Sequence, residues 1–173
     1  MTRIFRAGIF AAAFSLAVCG AASAQTPAAP ASNTTPAKEK TMSERISGAF
    51  DVKLTPQAAD PAGSSVGRMA IEKRFHGDLD GAGKGQMLAF RTPIQGSAGY
   101  VAIEQVTGFL KGRKGSFVLQ HSGIMERGAP QLAVTVVPDS GTDELAGIAG
   151  KMTINIVDGK HFYDFEYSLP AKP

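Results

Sequence analysis

The sequence predicts an all-β fold, specifically a closed eight-stranded antiparallel barrel, and three observations carry that expectation. Between residues 47 and 169, stretches of alternating or β-branched apolar residues are separated by Gly, Pro and Asp at intervals of roughly ten residues. No segment sustains a helical period. Eight such stretches with few breakers inside them suit closure, which removes the exposed edges an open sheet would leave.

The chain of 173 residues opens with a segment that is not expected to join this fold. Residues 1–24 read MTRIFRAGIFAAAFSLAVCGAASA: Arg3 and Arg6, an apolar run over 7–18, then small residues ending at Ala24. That is a cationic start, a core too short to span a bilayer comfortably and an A-x-A-type cleavage site, so export with removal near Ala24 is expected. A lipid anchor at Cys19 is the rival, and Val18 is bulkier than the small residue such a site places there. The expected location is the periplasm or the exterior, with no integral span left after processing. Removing Arg3 and Arg6 leaves 16 Lys and Arg against 15 Asp and Glu, a formal charge of +1 instead of +3. So even a charge balance gives no footprint for nucleic acid. The one cysteine, Cys19, leaves with the leader, which excludes disulfide and thiol chemistry in the mature chain. Residues 25–46 are rich in Pro, Ala, Ser and Thr, bury too little to offset their ordering entropy, and read as a linker. The barrel domain is expected over 47–173.

Strands are predicted at 48–54, 67–75, 85–91, 99–110, 115–125, 131–137, 151–157 and 161–169. The Gly-rich run 77–85 fails the spacing of a phosphate loop and of a calcium loop, and reads as a β-turn. Asp158-Gly159 is a type I′ hairpin signal that sets Val157 against Lys160, Ile156 against His161 and Ile154 against Tyr163. Met152, Ile154, Ile156, Tyr163, Phe165 and Tyr167 then share the core face. Lys151 and Glu166 pair on the solvated one. A turn within 111–114 groups Tyr100, Ala102, Glu104 and Val106 with Phe117, Leu119, His121 and Met125. Centring it on Gly112-Arg113 sets Glu104 directly opposite His121.

A carboxylate beside an imidazole on an apolar face is the one constellation with the makings of an acid–base pair, and a buried structural pair is the competing reading. His76, His121 and His161 stand in no metal-ligand spacing, so neither a metal nor a cofactor is expected.

The run 140–150, SGTDELAGIAG, resembles the S-G-T-x-x-L-x-G-I-x-G turn of the allene oxide cyclase-like barrels. The domain from 48 to 170 resembles more closely a bacterial family catalogued only as a domain of unknown function, numbered 3224. The matching pieces are FDVKLTP at 50–56, FHGDL at 75–79, GSAGYVAIE at 96–104, GSFVLQH at 115–121, and DGKH with YDFEY at 158–167. The resemblance implies an eight-stranded antiparallel barrel. It supplies no reaction, because the turn that resembles the cyclases is structural.

Three functions follow as expectations. The first is a ligand-binding barrel that takes a small apolar or amphipathic molecule into a mouth lined by Tyr100, Phe117, Met125, Tyr163, Phe165 and Tyr167. The second is a cofactor-independent isomerase or cyclase with Glu104 and His121 as catalytic partners and Tyr100 as hydrogen-bond donor. The third is a homodimeric assembly protein that buries the outward strip of Val101, Ile103, Val118 and Ile124.

Overall fold

The computed structural model describes residues 42–58 and 62–170, all within the unit Ala37–Pro173. The expected leader and most of the expected linker lie outside the described residues. Eight antiparallel strands close in sequence order: β1 (Met42–Pro56), β2 (Gly67–Gly77), β3 (Leu79–Arg91), β4 (Ala98–Leu110), β5 (Arg113–Glu126), β6 (Ala129–Val136), β7 (Ala149–Val157) and β8 (Lys160–Leu169). β1 pairs with β8 to complete the ring. Most inward positions are apolar, while Arg45, Asp51, Lys53, Glu72, Arg74, Lys151 and Glu166 stand exposed on the outer wall. This polarity is the reverse of a barrel that crosses lipid with its strands. No helix among the described residues is long and apolar enough to cross a membrane.

Two elements are longer than their sequence suggests. β1 begins at Met42 inside the predicted linker, where Ile46 turns inward and is buried. Its polar residues 43–45 are strand because they pair with the far end of β8. β3 runs from Leu79 through most of the glycine-rich run expected to be a turn, and only Gly77-Asp78 turns the chain. Gly81, Gly83 and Gly85 occupy successive inward positions of β3, a side-chain-free stripe on the barrel's inner wall.

Three hairpins turn on residue pairs with positive φ at both central positions: Lys111-Gly112, Arg127-Gly128 and Asp158-Gly159. The last gives the predicted register, Val157 against Lys160 and Ile154 against Tyr163, and brings Lys151 within 3.2 Å of Glu166. The first sits one residue earlier than the turn expected at Gly112-Arg113. Glu104 therefore faces Leu119, and His121 faces Ala102. A two-residue slip preserves side-chain parity, so Glu104 and His121 still point inward.

The ends of the barrel differ. One is closed by the connection between β6 and β7, whose single 3₁₀ turn (η1, Asp143–Leu145) drives Leu145 and Ile148 into the core. They belong to one core cluster with Phe75, Leu79, Leu110, Phe117, Phe165 and Leu169. Beyond Val118, β5 exchanges its partner β6 for this connection. Thr142 Oγ1 accepts from Ser116 N–H and Ser140 Oγ accepts from Val118 N–H, both at 3.0 Å. β6 and β7 pair directly only at Thr135 and Lys151. The sequence 140–150 is thus a plug and a splice.

Candidate functional site

Midway along the interior, where the apolar core gives out, three polar side chains from three strands converge. Lys73 (β2) donates to Glu104 Oε2 (β4) at 2.7 Å, and His121 Nε2 (β5) meets the same oxygen at 3.1 Å. Their side chains are 6%, 0% and 4% exposed. An ionised carboxylate only accepts, so Nε2 carries the proton in this contact. Glu104 Oε1 has no hydrogen-bond partner among the described residues.

The stripe of glycines on β3 makes this convergence possible. β3 lies between β2 and β4, and a Cβ on Gly83 would fall 1.9 Å from Glu104 Oε1 and 3.2 Å from Lys73 Cβ. The carboxylate occupies the volume a side chain would fill and reaches across the strand to its counter-ion. Lys73 is held from the other side by Phe50, whose ring centroid lies 4.8 Å from Nζ. Burial opposes ionisation of Glu104, but the His121 hydrogen bond and the Lys73 ammonium outweigh it and hold the carboxyl below its ordinary value of 4.5.

A pH dependence follows. Because the folded-state value is depressed, the stabilisation from Glu104 is complete above pH 4.5 and is lost as the pH falls through the lower folded value. Urea midpoints measured from neutral pH into this acid window are expected to fall, and to fall less steeply in Glu104→Gln. Equal acid slopes for the two proteins would refute this assignment.

The structure brings together Glu104 and His121, as expected, and adds Lys73, which sequence reasoning missed. Its signal was parity: Lys73 alternates with Ile71 and Phe75 and so had to point inward with them. Tyr100 is half-buried on the same inward face, its ring lying across Gly123, where a Cβ would meet the ring at 2.1 Å. Burial pushes its hydroxyl pKa up.

The other expected lining residues lie elsewhere. Phe117, Phe165 and Tyr167 form a stack with centroid separations of 5.6 and 5.3 Å in the filled half. Tyr163 sits edge-on to Phe75 and donates to His76 O at 3.1 Å. Tyr167 donates to Glu44 Oε2 at 3.1 Å, and burial together with that carboxylate pushes its hydroxyl up to about 12. These aromatics pack against one another because they occupy the half closed by η1, so they fill the barrel and do not line a mouth. Met125 and Ile156 have inward parity but stand exposed at the other rim, beyond the last covered layer. Of the outward strip, Val101, Ile103 and Ile124 are exposed and Val118 is half-buried. Among the described residues no group of three or more His, Cys, Asp or Glu side chains stands together as a metal site requires.

Comparison with known proteins agrees with this architecture. Among curated proteins nothing matches. A crystal structure of a protein with unknown function from the DUF3224 family of Shewanella oneidensis MR-1 is similar, with 51% identity and a TM-score of 0.71, covering 75% of this chain and 100% of that one. The family model described as "Protein of unknown function (DUF3224)" matches residues 46–167, and the chain belongs to that family.

Proposed function

We propose that the barrel is a binding protein for one small amphipathic molecule, entered through the end opposite η1. One observation carries this reading: toward that end the inward-facing apolar positions are uncovered. Leu54, Leu132 and Ile156 are 46%, 42% and 64% exposed, although the next inward residues on their strands, Val52, Val134 and Ile154, are half-buried or buried. An apolar body would recover that surface at about 25 cal/mol per Å². Below lies the buried Lys73–Glu104–His121 cluster, a polar floor beneath the apolar opening.

The acid–base reading is favoured by the contact of Glu104 with His121 and by Glu104 Oε1, which has no hydrogen-bond partner among the described residues. It is opposed by Lys73, which lowers the basicity of Glu104 away from the near-neutral value suited to general-base work. Binding is therefore the stronger reading. Processing near Ala24 and export to the periplasm belong to the same proposal, and the mass of the chain recovered from a periplasmic fraction tests them.

The binding test is titration with a dansyl-labelled fatty acid, read by fluorescence. Saturation at one probe per barrel is expected. It should be lost in Leu54→Asp and Ile156→Asp, which place charge at positions already exposed and so leave the fold intact. A non-saturating signal, or saturation unchanged in both variants, would rule the reading out.

A further inference from the structure

Among the described residues, most of the large exposed apolar side chains gather toward the end opposite η1, with Phe109 at the other end and Ile103 at mid-height as exceptions. Ile94 and Val157, both 55% exposed, sit on or beside the connections there, with Phe90 and Met125 on the adjoining strand ends. They surround the uncovered interior as a collar. The inward exposure of Leu54 and Ile156 continues the same apolar surface into the barrel.

The charges are sorted along the same axis. Among the described residues, Lys53, Arg68, Arg91, Arg127 and Lys160 lie at this end, against Glu72, Glu126 and Asp158. None of the five cations makes an ion pair among the described residues; the ion pairs there join other groups. Counted the same way, the closed end carries Asp78, Asp80, Asp139, Asp143 and Glu144 against Lys111, Arg113 and Lys114 among the described residues. A recess of about 420 Å³ opens in the collar between Arg91, Ile94, Ser97 and Met125, setting a guanidinium at its edge beside apolar side chains.

We infer that this end docks on the surface of an anionic lipid bilayer. Apolar side chains ringed by unpaired cations match the two layers of such a surface, acyl boundary and phosphate. A protein partner would call for no matching ring of cations, and a single apolar ligand would leave the outer collar wet. The inference extends the binding reading, on which the route of a lipid from bilayer to barrel rests. The docking itself rests on the collar and its charges.

The chain contains no Trp, so one introduced Trp reports on one place. Val157→Trp in the full chain is expected to shift its emission to the blue on vesicles of phosphatidylcholine with phosphatidylglycerol, and Phe109→Trp is not. Each removed cation, Arg91→Gln or Lys160→Gln, is expected to weaken the response about fivefold, the equivalent of about 1 kcal/mol. Added salt should weaken it further. The site-specific readout separates the collar from any contact made by the N-terminal segment.

No shift at position 157, or equal shifts at 157 and 109, would overturn the inference. So would a dimer in sedimentation equilibrium that Ile94→Ser with Val157→Ser dissociates, since the collar would then belong to a second copy. Saturable dansyl-fatty-acid binding without a vesicle response would remove the docking and leave the binding reading standing. A vesicle response without probe binding would do the opposite.

Discussion

Glu104→Ala is expected to lower the unfolding free energy by about 3–5 kcal/mol, among the largest losses available from one substitution. The side chain is fully buried, and among the described residues it is the only carboxylate bonded to Lys73, which is itself 6% exposed. Removing it leaves an ammonium in the barrel without a counter-ion and His121 without an acceptor. The desolvation of both groups then stands uncompensated. Denaturant midpoints at neutral pH measure the loss directly. The companion replacement sharpens the argument: Lys73→Met with Glu104→Leu removes both charges and should recover most of the stability. If it does, and dansyl-fatty-acid binding falls, the polar floor is there for the ligand. A single substitution costing less than about 1 kcal/mol would mean that water reaches Lys73 and that the cluster is not sealed.

Phe165→Ala is expected to cost about 3–5 kcal/mol by a different mechanism. The ring is fully buried, stacked between Phe117 and Tyr167, and pressed against Gly150, where a Cβ would lie 3.1 Å from its edge. Close-packed walls on three sides relax little, so a cavity remains, and the offset ring contacts are lost with it. Because this ring lies in the filled half, dansyl-fatty-acid affinity should be unchanged in protein that is still folded. A fall in affinity at full folding would move the ligand site toward η1 and contradict the placement of the mouth.

How far the sequence foretells the structure depends on the range of the deciding force. The Asp158-Gly159 turn settles its hairpin locally, so the faces of β7 and β8 were legible, as were the barrel class and the common side of Glu104 and His121. The turn at 111–112 was not legible to the residue. Lys111 supplies a positive φ that its type does not advertise, and the register moved by two. Residues 79–85 looked like a loop because glycine weakens a strand taken alone. Their reason for being strand lies on the neighbouring strands, in the volume needed by Glu104 and Lys73. Which aromatics fill and which positions stay open was hidden for a similar reason. Alternation tells inside from outside, but height along the axis depends on where η1 closes the barrel.

The splice between β6 and β7 has a meaning for the life of the protein in a crowded compartment. With one residue pair joining those strands directly, the ring is held there by the hydroxyls of Ser140 and Thr142 and by the seating of Leu145 and Ile148. With the ladder there reduced to one pair, unseating the plug would leave β6 and β7 as the two free edges of an open sheet. One of these edges, residues 152–157, reads MTINIV: no charge, no proline, no glycine, four of its six residues β-branched, the composition that stacks into cross-β fibrils. The short turn at 140–150 is therefore a guard against self-assembly, and wear at this seam would show first as insoluble protein.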